Sequence, residues 1–110
     1  MDVDFADDRL RALCNEQRAL TRQFGREGAK KIRARLDDLS AARTLADMRS
    51  LPGHCEELRH QRKGQLSVRV HQAYRIVFVP QEPVVTLPDG SLDWTATTAV
   101  RIVGIEDYHA

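Results

Sequence analysis

Little in this chain could hold a metal ion or close a disulfide. Its 110 residues include two cysteines, Cys14 and Cys55, with no C-x-x-C spacing between them. The histidines at 54, 60, 71 and 109 share no i, i+4 partnership, and neither an H-E-x-x-H motif nor a P-loop occurs. Two reduced thiols, no metal and no cofactor are therefore expected. One Trp, two Tyr and three Phe leave few aromatics for a single-strand binding platform of several stacked rings. No apolar run approaches the roughly 20 residues that cross a bilayer. The acidic start, Met1-Asp2-Val3-Asp4, has neither the basic flank nor the apolar core of a signal peptide. A cytoplasmic protein with no membrane partner is the expectation.

What is present is ordinary for a globular domain: 42% hydrophobic and 30% charged residues. Residues 1–110 are read as one domain, long enough for a single core. The net charge of +1 conceals a segregation. From Arg9 to Arg35 nine Lys/Arg stand against two acids, Glu16 and Glu27. From Arg59 to Arg75 there are five Lys/Arg and no acid, with His60 and His71 added. A solvated helix face explains the first cluster as well as a binding surface does. The second falls in a region of strand pattern and points to an anionic partner such as phosphate.

Along the chain, Val3-Asp4-Phe5 reads as a short strand, and Asp7 or Asp8 is a good N-cap for the helix that follows. Leu10, Leu13, Cys14, Gln17, Leu20 and Phe24 recur at helical spacing, with Gly25 placed as the stop. After the turn Gly25–Gly28, a second helix to about Ser40 carries the stripe Ala29, Ile32, Leu36 and Leu39. So short a turn makes the two helices an antiparallel hairpin. Thr44-Leu45-Ala46-Asp47 has the form of a capping box opening a short helical turn, which Leu51-Pro52-Gly53 closes.

The period then changes. Glu57-Leu58-Arg59 suggests a short strand and His60–Gly64 a polar turn. Leu66–His71 alternates, with Val68 and Val70 on one face and Ser67, Arg69 and His71 on the other. Tyr74–Val79 is almost wholly apolar, so it reads as a central strand with Arg75 as its anomaly, joined to the previous strand by a hairpin turn. Pro80–Trp94 is a long, proline-bearing excursion. Thr97–Ile105 is a buried strand that would hold Glu106-Asp107-Tyr108-His109 firmly although they are almost terminal. The order is β-α-α-β-β-β. The fold class is α+β, a two-helix N-terminal hairpin on one face of a mainly antiparallel four- to five-stranded sheet.

Three constellations could carry chemistry. Asp107-Tyr108-His109 combines an acid, a phenol and an imidazole, which suits general acid/base work, although a polar tail looks the same. Arg75, in a hydrophobic strand, must pair with Glu106 or Asp107 or clamp a phosphate from the open face. The turn Arg59-His60-Gln61-Arg62-Lys63-Gly64 can hold a polyanion backbone or be a plain exposed turn.

Taken together, Leu51-Pro52-Gly53, Leu58–Gly64 leading to Ser67-Val68, Tyr74–Phe78 and Ile105–His109 resemble the RelE/ParE superfamily of toxin–antitoxin toxins. Within it they are similar to the HigB-type, or plasmid maintenance killer, branch. The resemblance implies a ribosome-dependent, metal-independent mRNA endoribonuclease with a helix-turn-helix, HigA-like antitoxin, and with ribosome and mRNA as targets. By that resemblance His109, Tyr108, Asp107 and Arg75 would be catalytic. Arg59, His60, Arg62, Lys63, Arg69 and His71 would bind RNA or ribosome. Where such toxins often carry a histidine before the turn motif, this chain has Glu56, with His54 two residues upstream; both are accessory candidates. A ParE-like gyrase inhibitor and a catalytically degenerate binding module are the alternatives.

Overall fold

The computed structural model describes residues 1–108; His109 and Ala110 lie outside the described residues. The elements are β1 (Asp2–Phe5), α1 (Asp8–Asn15), α2 (Gln17–Ala41), β2 (Glu56–Glu57), β3 (Leu66–His71), β4 (Tyr74–Pro80) and β5 (Ala99–Asp107). The five strands form one sheet in the order β1-β5-β4-β3-β2. All neighbours are antiparallel except β1 and β5, which run parallel. The helices lie on one face, so the expected α+β layering is what the chain adopts.

The Asp7 carboxylate starts α1 by accepting from the Leu10 amide at 2.8 Å. Sequence periodicity predicts one helix from there to Phe24. Instead the chain is extended at Glu16 (φ −122°, ψ 108°), whose carbonyl accepts the first amides of α2. The break lets Cys14 before it and Leu20 after it both reach full burial. Gly25, at φ 78° and ψ 171°, then bends α2 where the glycine signal falls. Beyond the bend the helix returns along α1, and Arg33 Nη1 donates to the Cys14 carbonyl at 2.7 Å. The hairpin is therefore present, with its first arm in two pieces.

Leu20, Ile32, Leu36 and Leu39 of α2 pack on Leu66, Val68, Ile76, Phe78, Val100 and Ile102 of the sheet, all essentially inaccessible. Burial of this apolar surface, at about 25 cal/mol per Å², is the main favourable term. Leu45–Ser50 is a 3-10 helix that adds Leu45 and Met48 to the core. Thr44 does not cap it with its side chain; Asp47 instead accepts from the Arg43 amide at 2.8 Å.

β5 lies between β1 and β4, as its apolar composition predicts. The 80–98 excursion makes one isolated bridge, Thr86 with Leu92. It returns through Trp94, only 6% exposed, whose carbonyl accepts from the Ala46 amide at 3.2 Å.

Candidate active site

The face of the sheet away from the helices carries the charged residues. Arg69 and Arg75 are directly opposite each other on β3 and β4, and like charges so placed repel. Across β4, Arg75 faces Glu106 on β5. Its Nη2 lies 3.0 Å from Glu106 Oε1. The turn ahead of β3 folds over this face, so that Arg62 grips the same carboxylate with both terminal nitrogens, Nη1 to Oε1 and Nη2 to Oε2, the latter at 3.1 Å. Glu106 therefore stands between two guanidinia. The hydrogen bond from Arg62, and then that from Arg75, hold its carboxyl below the usual glutamate range, while Glu106 raises the pKa of Arg62.

Tyr108 completes the group. Its amide donates to the Ala73 carbonyl in the β3–β4 turn at 2.9 Å, so the strand end is tied down beyond the ladder. The guanidinium carbons of Arg75 and Arg69 lie 5.6 Å and 5.9 Å from its ring centroid, within reach of a cation–π attraction. Arg62, Arg69 and Arg75 thus converge on one carboxylate and one phenol ring. Three cations against one anion leave a site with net affinity for a further anion, and guanidinia on paired strands suit a phosphate.

Beside this group, His54 Nε2 is 3.0 Å from Glu56 Oε2, both side chains exposed. His54 has the left-handed backbone (φ 48°) and shares a groove of about 510 Å³ with Lys31, Arg35 and Arg69. The departure noted in the sequence, an acid where a histidine is usual, therefore places a hydrogen-bonded His–Glu pair next to Arg69. Gly53 sets this up: its carbonyl accepts from the Arg69 amide at 2.7 Å.

Other expected site residues go elsewhere. A bulge between Arg69 and His71 shifts the register so that His71 pairs with Tyr74. One extra residue turns a strand's side chains to the other face, and His71 lies under the helices, close to Gly28. It does not join Arg69 on the open face. Asp107, exposed, is in register with Tyr74, whose ring packs on Phe24 at 5.2 Å; strand alternation puts it on the opposite face from Glu106. Arg59, His60 and Lys63 face a separate recess at the β2 edge. His109 lies outside the described residues.

The residue that sequence reading undervalued is Glu106. Its signal was available, since it was one of two carboxylates that could meet Arg75, but the register that sets it opposite Arg75, in the place Ile105 would otherwise take, depends on a second bulge, between Val77 and Phe78. Among the described residues no three His, Cys, Asp or Glu side chains gather as a metal site. No helix is long and apolar enough to cross a membrane.

Fold and site together define a small helix-covered sheet with an arginine pocket on its open face. Among solved structures, the YoeB dimer from Staphylococcus aureus has a similar fold, with a TM-score of 0.55 and 15% sequence identity over 96% of this chain and 94% of that one. No curated protein matches the sequence. The family model for the RelE-like toxin HigB of type II toxin–antitoxin systems matches residues 3–87, and the chain belongs to this family of HigB-like toxins. It is accordingly a toxin whose partner is an antitoxin. The matched segment contains Arg59, Arg62, Arg69 and Arg75 and ends before β5.

Proposed function

We propose that this toxin is a metal-independent endoribonuclease that cuts mRNA in the A site of the ribosome, and that its antitoxin is a HigA-like helix-turn-helix protein. The observation that carries the reading is the convergence of Arg62, Arg69 and Arg75 on Glu106 and Tyr108. A substrate phosphate takes the place of the Glu106 carboxylate, which has the same charge-assisted, two-oxygen geometry towards guanidinium. The 2′-hydroxyl of the preceding nucleotide attacks phosphorus, the new O2′–P bond forms, and the P–O5′ bond breaks. The products are a 2′,3′-cyclic phosphate and a 5′-hydroxyl end. Arg75 and Arg62 stabilise the charge that builds on the equatorial oxygens. One proton leaves the 2′-hydroxyl and one reaches O5′. These transfers are assigned to the His54–Glu56 pair and to His109, the imidazole that follows Tyr108, since an imidazole has one nitrogen that can accept a proton and one that can donate it. Glu106, held by two arginines, is too weak a base for the task, and Asp107 is the residue of the closing set whose loss should matter least.

The test is induced expression without antitoxin, with mRNA 5′ ends mapped inside translated frames. Cuts in register with codons that disappear in Arg75→Ala and His109→Ala, with both variants folded by circular dichroism, are expected. Growth arrest with intact mRNA would transfer the activity to gyrase. Full toxicity of both variants would overturn the site.

A further inference from the structure

A second basic recess, of about 610 Å³, opens at the β2 edge of the sheet and has no part in the arginine pocket. Its floor is Trp94, which is 6% exposed and whose indole Nε1 donates to Glu57 Oε2 at 3.1 Å. The Arg49 guanidinium carbon sits 4.3 Å above the centroid of that ring. Arg49 is itself exposed, and among the described residues it makes no ion pair. Its guanidinium is therefore held over a buried indole while the residue stays open to solvent. Arg59, His60 and Lys63 stand around it, exposed. Of the two acids at the rim, Glu57 is engaged by the indole and Glu56 by His54.

A guanidinium held over a ring in this way can offer its free side to an unpaired base, and the neighbouring cations can take the phosphate of the same nucleotide. The turn that carries Arg62 to the first pocket carries Arg59 and Lys63 to this one. We propose that Arg49, backed by Trp94, is a stacking platform for a nucleobase of the bound RNA strand, with Arg59 and Lys63 holding its phosphate. This rests on the RNA-cleavage reading and adds to it a place where a base is gripped away from the cut.

Trp94 is the single tryptophan of the chain, so its emission reports on this recess directly. The probe is a short unstructured 2′-O-methyl RNA oligonucleotide, which cannot be cleaved, titrated into the purified toxin. A second titration uses the same backbone without bases. The expected result is a saturable change in Trp94 emission with the first probe and none with the second. Arg49→Ala should weaken binding about tenfold by fluorescence anisotropy, and Arg49→Lys, which keeps the charge and loses the plane, nearly as much. Circular dichroism checks that both variants fold. Wild-type affinity in Arg49→Lys, or an equal Trp94 response to the abasic strand, would overturn the platform. Arg75→Ala should abolish cleavage and retain the Trp94 response. Weakened RNA binding in the Arg49 variants beside full toxicity of Arg75→Ala would sink the cleavage site and leave the platform standing.

Discussion

Gly53→Ala should unfold this protein much more readily than the same change at Gly64, although both glycines have positive φ, +106° and +95°. An L residue in that region costs about 1–2 kcal/mol, and this applies to both sites. At Gly64 a methyl group would meet nothing within 4 Å. At Gly53 it would overlap Val68 Cγ2 and lie 2.9 Å from the Arg69 carbonyl oxygen and 3.1 Å from Arg35 Cδ. Val68 is fully buried and the carbonyl is backbone, so neither gives way cheaply. Overpacking of this kind adds about 1–3 kcal/mol. The sum, about 2–5 kcal/mol, is a large part of the roughly 5–15 kcal/mol that holds a domain together. With a urea slope of about 1–3 kcal/mol per molar, the midpoint for Gly53→Ala should fall by about 1–3 M. The fall for Gly64→Ala, which carries only the positive-φ cost, should be about half as large. Equal midpoints for the two variants would refute the claim that Leu51-Pro52-Gly53 is fixed by close approach to β3. The consequence reaches the site, because the Gly53 carbonyl holds the Arg69 amide.

Glu106→Gln should cost stability near neutral pH and progressively less in acid. A carboxyl with a depressed folded pKa contributes fully above its unfolded value, about 4.3, and loses that contribution as pH falls through the folded pKa. Urea unfolding of wild type and variant at neutral pH and near pH 3 tests this; a gap that does not shrink in acid would count against the paired carboxylate. His71→Ala should leave growth arrest on induction unchanged while Arg69→Ala relieves it, because the bulge between them separates their faces. The thiols should resist iodoacetamide at neutral pH until the chain unfolds, since burial pushes Cys14 up to about 11 and Cys55 to about 12. Rapid alkylation of the native protein, followed by mass spectrometry, would contradict that.

The layers of the fold were legible because each rests on a local pattern. The stripe Ala29, Ile32, Leu36, Leu39 marks a buried helix face, and the run Tyr74–Val79 marks a central strand; both are as their spacing predicts. The break at Glu16 was not legible, since the helical period continues through it and the stop is made by tertiary burial of Cys14 and Leu20. Nor was the parallel pairing of β1 with β5, which joins the two ends of the sequence. The site was half legible for a related reason. Arg75 stood out as a charge in an apolar strand, but which neighbour it meets is decided by registers, and two bulges lie between the sequence pattern and those registers. One moved His71 to the helices, and the other aligned Glu106 with Arg75. Trp94 and Arg49 are far apart in sequence, and no spacing rule could have joined them.

The arrangement around Glu106 also says why the pocket can be stable and still be ready for a ligand. Arg69 and Arg75 face each other across adjacent strands, a placement that repels unless an anion intervenes. In the free toxin Glu106 of β5 pairs with Arg75 and with Arg62, which neutralises one member of that facing pair, while Arg69 lies over the Tyr108 ring. The carboxylate satisfies two guanidinia at once but leaves a net excess of positive charge, so in the proposed reaction a phosphate would meet cations that are already aligned and only partly neutralised. Because all but Arg62 and Tyr108 sit within paired strands, the proposed exchange of carboxylate for phosphate would require side-chain movement and no change in the sheet. For the cleavage proposed above, such alignment would preorganise the cations for an anionic transition state, which is where positioning has its largest effect on rate.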